Sequence, residues 1–285
     1  MRIASAVVVA VMFLAAGLLT SGAAGQDASV RNGLLAFDEA STPNGFDQIW
    51  VVTPTGRGLR RLTHNEVFDS DPAWSPDGRM IAYDKGDGLH SDIYVMSAQG
   101  KQQHQLTRKR GEDAASPAWS PNGHTIAYSN GGEIYTIGID GAHPQRLTGQ
   151  PAVSPAWSPD GRKIAYAFGA PPQIFVMNAD GSDQRRLTVG DVPAWSPDGK
   201  SIAFLRSRKD TSDIYVMDAN GQSPHAVTKD APVFGAKFAW APDGRQFAFV
   251  GGDFNVHVMP ASGGPIRRVD HGGHASGEVS WQPIR

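Results

Sequence analysis

The sequence predicts an all-β fold, a six-bladed β-propeller made of four-stranded blades. Two observations support this prediction. The segment Trp-Ser-Pro-Asp-Gly-Arg at residues 74–79 returns in variant copies at 119–124, 157–162, 195–200 and 240–245, and a further tryptophan follows at 281. These six tryptophans are separated by 45, 38, 38, 45 and 41 residues, and such a spacing is typical of a propeller blade.

Each repeat contains four segments that we interpret as strands. The first ends in Pro-Ala-Trp, and Ser-Pro-Asp-Gly then forms a hairpin turn in which proline presets φ and glycine takes the left-handed position. The second resembles Ile-Ala-Tyr, the third Ile-Tyr-Val-Met and the fourth Arg-Leu-Thr. Third strands are expected at 47–51, 92–96, 133–137, 173–177, 213–217 and 255–259, and fourth strands at 61–63, 105–107, 146–148, 186–188, 226–228 and 267–269.

The two ends of the chain predict how the ring closes. Residues 33–37 match a second strand without a tryptophan strand before it, and Val279-Ser280-Trp281 matches a first strand without a second one after it. The C-terminal strand with Trp281 should therefore join the three N-terminal strands in one blade, which leaves short, protected sheet edges. We predict a single propeller over residues 33–285, preceded by a short linker at 26–32.

Residues 1–25 are predicted to be a signal peptide. Arg2 precedes an apolar run at 3–19, and small residues at 21–25 offer a cleavage site. An uncleaved membrane anchor is the alternative, because the run approaches the length that spans a bilayer. Either interpretation predicts an exported protein, periplasmic, secreted or held in the cell envelope, and only the second predicts contact with the membrane.

Composition excludes several classes of function. The chain has 26 Lys and Arg against 28 Asp and Glu, a formal net charge of −2, and this balance does not predict nucleic-acid binding. It has no cysteine, so disulfides, thiolate nucleophiles and cysteine-ligated zinc are excluded. No Gly-x-Ser-x-Gly elbow is present to expose a serine nucleophile. We therefore expect a monomeric, non-catalytic protein without a cofactor.

From residue 34 to residue 281 the repeat resembles that of the TolB-like six-bladed propellers. The resemblance rests on Trp-Ser-Pro-Asp-Gly, Ile-Ala-Tyr, Ile-Tyr-Val-Met and Arg-Leu-Thr in this order. It implies a periplasmic location and a protein partner, since the TolB propeller binds the peptidoglycan-associated lipoprotein. TolB proteins also have an α/β domain before the propeller, and we expect no such domain in this sequence. Related propellers occur in prolyl-oligopeptidase-type peptidases, where a separate hydrolase domain performs the chemistry.

The residues three positions before each tryptophan are the best candidates for a binding surface. They are not repeated, whereas the segments around them are, and the loops that hold them should surround the mouth of the central channel. Loops after the second strands, including 38–46 and 84–91, should open on the same face. The six positions are Asp71, Ser116, Ser154, Val192, Lys237 and Glu278, and Asp71, Ser116, Ser154, Lys237 and Glu278 are the predicted partner-binding residues.

A metal site is the main alternative at this face. His271 and His274, together with Glu278 and Asp71, could ligate a divalent ion. Such a site would suit a metal-assisted lyase or a lactonase-type hydrolase with its chemistry at the channel mouth. We favour a glycine-rich loop without metal, because Gly272 and Gly273 would not hold the two histidines rigidly.

Overall fold

The computed structural model describes residues 31–40, 45–108, 113–208, 211–228, 233–269 and 275–284. Over these ranges it shows 24 strands and no helix, arranged as six four-stranded antiparallel blades, which confirms the predicted propeller. None of the described residues belongs to a helix that is long and apolar enough to cross a membrane. The predicted signal peptide at residues 1–25 lies outside the described ranges.

The blades follow each other in chain order around the channel, with four strands from the inside to the outside of each. Blade 1 contains β1 (Arg31–Ala40), β2 (Asp47–Val52) and β3 (Arg60–Arg61), and its inner strand is β24 (Ala275–Ile284). Blade 2 contains β4 (Phe68–Trp74), β5 (Met80–Gly86), β6 (Ser91–Ser97) and β7 (His104–Gln105). Blade 3 contains β8 (Ala114–Trp119), β9 (Thr125–Asn130), β10 (Glu133–Gly138) and β11 (Gln145–Arg146).

Blades 4 to 6 repeat this arrangement. Blade 4 contains β12 (Ala152–Trp157), β13 (Lys163–Phe168), β14 (Gln173–Asn178) and β15 (Arg185–Val189). Blade 5 contains β16 (Asp191–Trp195), β17 (Ser201–Arg208), β18 (Thr211–Asp218) and β19 (His225–Ala226). Blade 6 contains β20 (Val233–Trp240), β21 (Gln246–Gly251), β22 (Val256–Pro260) and β23 (Arg267–Arg268).

Blade 1 closes the ring as predicted. Strand β24 pairs antiparallel with β1, with Leu35 opposite Trp281. The Gln282 amide extends this closure into blade 2, because its nitrogen donates to the Gly78 carbonyl at 2.7 Å while its oxygen accepts from the Leu34 amide at 3.0 Å. The C-terminal strand therefore completes blade 1 and also hydrogen-bonds to the Ser-Pro-Asp-Gly turn of blade 2.

The Ser-Pro-Asp-Gly turns have the predicted geometry, illustrated by blade 4. Gly161 has a φ of 70°, which glycine adopts readily. The Ser158 hydroxyl donates to Asp160 Oδ1 at 2.6 Å and accepts from the Lys163 amide at 2.9 Å. Asp160 Oδ1 also accepts from the Arg162 amide at 3.1 Å. The serine and the aspartate of the motif thus act on the backbone of their own turn.

The hydrophobic core lies between neighbouring blades. Tyr83, Tyr166 and Phe204 from second strands are fully buried. Tryptophans link consecutive blades directly, since Trp119 Nε1 donates to the Ala73 carbonyl at 3.0 Å and Trp240 Nε1 donates to the Ala194 carbonyl at 3.3 Å. The structural interpretation of the repeated aromatics is confirmed, as expected for residues at one phase of every repeat.

Several predicted strand boundaries are wrong. Five of the six outer strands contain only two residues. In blades 1, 2, 3 and 5 the threonine of the fourth segment lies outside the outer strand, and its hydroxyl accepts a hydrogen bond from a backbone amide of the third strand. In blade 2 the Thr107 hydroxyl accepts from the Ile93 amide at 2.9 Å. In blade 6 the third strand begins one residue later than expected, at Val256. Strands β1 and β5 continue to Ala40 and Gly86, so positions 38 and 84 are strand residues and not loop residues.

Candidate functional site

Four of the six positions that lie three residues before a tryptophan share an uncommon backbone conformation. Positive φ angles of 50–57° occur at Asp71, Ser116, Ser154 and Val192. Residues other than glycine rarely adopt such angles, and each of these four precedes a proline, which further disfavours the helical regions. Each also lies at a break in the pairing between the first and second strands of its blade. Four blades thus contain a strained bulge at the same position, and the side chain at this bulge is not the same in every blade.

These bulges surround the central channel. The channel contains a cavity of about 330 Å³. The Pro-Ala-Trp segments form much of its wall. Of the six predicted rim residues, Asp71, Ser154, Val192 and Lys237 line the cavity. Ser116 and Glu278 do not line it, although Glu278 contacts Asp71. We call the end of the propeller that carries this rim the loop face.

One side of the rim contains a group of charged residues that we call the acidic cluster: Asp38, Asp71, Asp84, Lys237 and Glu278. The Lys237 ammonium donates to Asp71 Oδ1, and Glu278 Oε2 accepts from the Asp71 amide at 3.1 Å. Asp84 Oδ2 accepts from the hydroxyl of its cross-strand neighbour Ser70 at 3.0 Å. Four carboxyl groups from blades 1 and 2 therefore meet one ammonium from blade 6.

The deepest member of the acidic cluster is Asp38, whose residue surface is 1% exposed. Its Oδ1 has no hydrogen-bond donor among the described residues, and the same is true of Asp84 Oδ1. A buried carboxylate oxygen without a donor is unfavourable, because burial removes water and nothing replaces it. Asp38 Oδ1 and Asp84 Oδ1 could therefore each accept a hydrogen bond that no described residue donates.

Burial and mutual repulsion change the ionisation of the acidic cluster. Burial raises the pKa of Asp38 well above its ordinary value, and the neighbouring Asp47 raises it further. Burial, followed by the charge of Asp71, raises the pKa of Asp84 to about 7 and that of Glu278 well above its ordinary range. Burial lowers the pKa of Lys237, but the charges of Asp71 and Glu278 outweigh this effect and the net shift is upward.

The three rim positions on the opposite side are uncharged. Ser116, Ser154 and Val192 occupy the equivalent positions in blades 3, 4 and 5, and each is partly exposed. Among the six rim positions, the charged ones therefore lie in blades 1, 2 and 6. A ligand that enters the channel therefore meets the ion pair of Asp71 and Lys237 on one side and small neutral side chains on the other.

The loop face also exposes apolar side chains. Leu89 in blade 2 is 76% exposed and Phe254 in blade 6 is 56% exposed. Phe254 has a φ of 55°, which is rare for a bulky residue. Its amide donates to the Gly251 carbonyl and its carbonyl accepts from the Ala275 amide, both at 3.0 Å, so the backbone is fixed on both sides. Val153 and Val189, each 42% exposed, lie on the same face in blade 4.

The predicted metal ligands His271 and His274 lie outside the described ranges. Over the part of the chain that the structure describes, no group of three or more His, Cys, Asp or Glu side chains is arranged to hold a metal ion. Glu278 is described and belongs to the acidic cluster, where it contacts Asp71.

The sequence prediction included Asp71, Lys237 and Glu278 but not Asp38 or Asp84 as candidate residues. A signal for the two missed aspartates exists in the repeat. They follow the aromatic residue of the second strand in blades 1 and 2, where the other blades have Ser129, Ala167, Leu205 and Val250. Comparing the copies at this position as well would have indicated the unrepeated acidic residues.

Individual relatives match parts of this chain. The uncharacterized peptidase YuxL of Bacillus subtilis is 37% identical over 60 residues, which cover 21% of this chain and 9% of that protein. The Tol-Pal system protein TolB of Nitratidesulfovibrio vulgaris is 41% identical over 49 residues, 17% of this chain and 11% of that protein. The matches thus span about a tenth of the length of these curated relatives.

Solved structures share the fold over most of the chain. TolB from Acinetobacter baumannii superimposes with a TM-score of 0.76 at 20% identity, covering 88% of this chain and 66% of that one. A putative TolB from Agrobacterium tumefaciens gives a TM-score of 0.68 at 22% identity, covering 90% and 100%. At these identities the superpositions establish the architecture alone.

Family membership follows from the sequence profile of the repeat. The profile of the TolB beta propeller domain, PD40, matches residues 35–133 and 189–284, which is more than half of the chain. Together with the six blades and the closure through β24, this match shows that the chain belongs to the TolB beta propeller domain family.

Proposed function

We propose that this propeller is an exported, non-catalytic scaffold that binds a protein or envelope-linked partner through its loop face and channel mouth. The observation that supports this most directly is Phe254. An exposed phenylalanine held at positive φ combines an unfavourable backbone conformation with an apolar surface in water. A partner that covers the phenyl ring would remove this apolar surface from water, and the positive φ holds the ring in place for that contact.

The position of the other unrepeated residues supports the same surface. The acidic cluster and the exposed Leu89, Val153 and Val189 all lie on the loop face, whereas the repeated Ser-Pro-Asp-Gly turns occupy the opposite end. Since functional residues concentrate on loops and edges held by a rigid scaffold, this division favours the loop face as the binding side. A Tol-Pal system protein is among the sequence relatives, and the resemblance to TolB implies an envelope location for the partner.

Site-specific crosslinking in intact cells tests this proposal. A photoreactive amino acid is placed at Val153 on the loop face or at Arg162 in the opposite turn of the same blade, both of which are exposed. We expect a specific crosslinked species from position 153 and none from position 162. Equal crosslinking from both positions, or none from position 153, would contradict binding through the loop face.

Substitution of Phe254 provides a second measurement. Asparagine tolerates positive φ better than phenylalanine, so Phe254→Asn should raise the free energy of unfolding by roughly 0.5–1 kcal/mol or leave it unchanged. The same variant should reduce crosslinking from position 153 by at least threefold. A variant that loses stability and keeps its crosslinks would assign Phe254 to the fold instead.

A further inference from the structure

We propose that the acidic cluster binds a basic side chain, the guanidinium of an arginine or the ammonium of a lysine, from a peptide segment that inserts into the channel mouth. This inference rests on the proposed function and specifies the chemistry of its partner. The acidic cluster supplies acceptors, and the exposed Leu89 and Phe254 supply apolar contacts in blades 2 and 6.

The first argument is the unused acceptor capacity. Asp38 Oδ1 and Asp84 Oδ1 are both buried without a donor among the described residues. A guanidinium has five N–H donors in a planar fork and a protonated amine has three, so either could supply donors to both aspartates. Buried carboxylates usually have such partners, and an incoming cation would provide them.

The second argument is the excess of carboxyl groups over basic groups in the acidic cluster. The Lys237 ammonium makes its ion pair with Asp71, and Glu278 accepts from the Asp71 amide. Asp38 and Asp84 lie on β1 and β5 and have no lysine or arginine within ion-pair distance among the described residues. A second cation at these two carboxyl groups would favour their ionised form and pair with it.

The third argument distinguishes a basic side chain from a metal ion. No group of three or more carboxylate or histidine side chains in the described ranges has an arrangement that could hold a metal. The exposed Leu89 and Phe254 in blades 2 and 6 lie on either side of blade 1, to which Asp38 belongs. A metal would not cover these apolar groups, whereas the residues beside an arginine in a peptide would.

Peptide binding to the purified full-length protein tests the inference. The probe is a fluorescein-labelled peptide of alternating leucine and arginine, compared with peptides in which citrulline or glutamate replaces arginine. Citrulline keeps the shape of arginine but has no charge. Fluorescence anisotropy at pH 8 should show binding of the arginine peptide, at least tenfold weaker binding of the citrulline peptide and no binding of the glutamate peptide.

Three variants locate the site. Asp38→Asn and Asp84→Asn should each weaken the arginine peptide at least fivefold. Asp183→Asn removes one negative charge from an exposed turn outside the acidic cluster and should change the affinity less than twofold. Thermal unfolding of each variant identifies any loss of folded protein, and because the two cluster variants remove a buried unpaired charge, neither should unfold at a lower temperature.

Three results would overturn the inference: equal affinity for the citrulline and arginine peptides, unchanged affinity in both cluster variants, or calcium binding by the protein alone that Asp84→Asn abolishes. The last would assign the acidic cluster to a metal. Failure here is distinguishable from failure of the proposed function. Crosslinks from position 153 that persist in the Asp38→Asn protein would retain the partner-binding surface and reject the basic side chain.

Discussion

Aspartates at the two ends of the propeller have opposite physical roles. In the Ser-Pro-Asp-Gly turns, hydrogen bonds from Ser158 and Ser196 lower the pKa of Asp160 and Asp198. In the acidic cluster, burial raises the pKa of Asp84 and Asp38. A turn aspartate accepts the donors that its own sequence supplies, whereas an aspartate of the acidic cluster is brought together with other carboxylates by the closure of the ring. The turn aspartates stabilise the folded state, whereas ionisation of the buried aspartates in the acidic cluster destabilises it.

Because of this contrast, the same substitution should change the free energy of unfolding differently at a repeated aspartate and at an unrepeated one. Turn aspartates are neighbours of their donors in the sequence, so their contribution is local and reproducible. Acidic-cluster residues come from different blades and are coupled to each other, so their contributions should not be additive.

The largest effect is expected for Lys237→Met. It leaves Asp71, which is 5% exposed, without its ammonium partner beside Glu278, and should lower the free energy of unfolding by about 3 kcal/mol. Urea unfolding at pH 8 measures this. The double variant Lys237→Met, Asp71→Asn should recover most of the loss, because the unpaired charge is gone. Additive losses in the double variant would contradict the coupling.

The next effect concerns pH. Asp84 has a pKa of about 7 in the folded protein against an ordinary 3.8, so between these values the folded state binds a proton that the unfolded chain has released. Stability should therefore fall as the pH rises from about 4 to about 7. Asp84→Asn should be more stable than the native protein by roughly 2 kcal/mol at pH 8, with a smaller difference at pH 5. A difference that is the same at both pH values would show that ionisation is not the cause.

A smaller effect is expected in the turns. Ser158→Ala removes a hydroxyl that donates to Asp160 and accepts from the Lys163 amide, and should lower the free energy of unfolding by about 1 kcal/mol. Chemical unfolding at pH 7 measures the loss. If the substitution were neutral, the repeated serine would have no role in stabilising the turn.

The smallest effect is expected for Asp160→Asn, which should change the free energy of unfolding by less than about 0.5 kcal/mol at pH 7. Blade 3 contains this change naturally, since Asn122 Oδ1 accepts from the Ser120 hydroxyl at 2.7 Å and from the His124 amide at 3.0 Å. Paired with Asp84→Asn, it compares one substitution at the two ends of the propeller. Similar stability changes for both at pH 8 would remove the distinction between them.

Much of the fold could be predicted because its determinants are local and repeated. The turn at Ser158 and Gly161 depends on contacts within six residues, and each copy repeats the signal. Strand ends were less predictable, as shown by Thr107, whose side chain replaces a backbone pairing with Ile93. That replacement depends on the neighbouring strand and has no separate signature in the segment itself.

The candidate site was predictable only in part. The spacing before the tryptophans indicates Asp71, Lys237 and Glu278 as rim residues, but not that Asp71 contacts both of the others across three blades. The positive φ at Asp71 and Val192 was also unexpected, because residues before proline ordinarily avoid it. These features depend on how six bulges meet around the channel.

By itself the sequence determined the propeller, the number of its blades, the pairing of its two ends and the face on which the unrepeated residues lie. Those properties follow from turn chemistry and periodicity, which act over short distances along the chain. Only the tertiary structure decided that Asp38, Asp84 and Glu278 share one buried cluster with Lys237. Their positions run from residue 38 to residue 278, and their ionisation depends on burial and mutual distance, which arise when the ring closes.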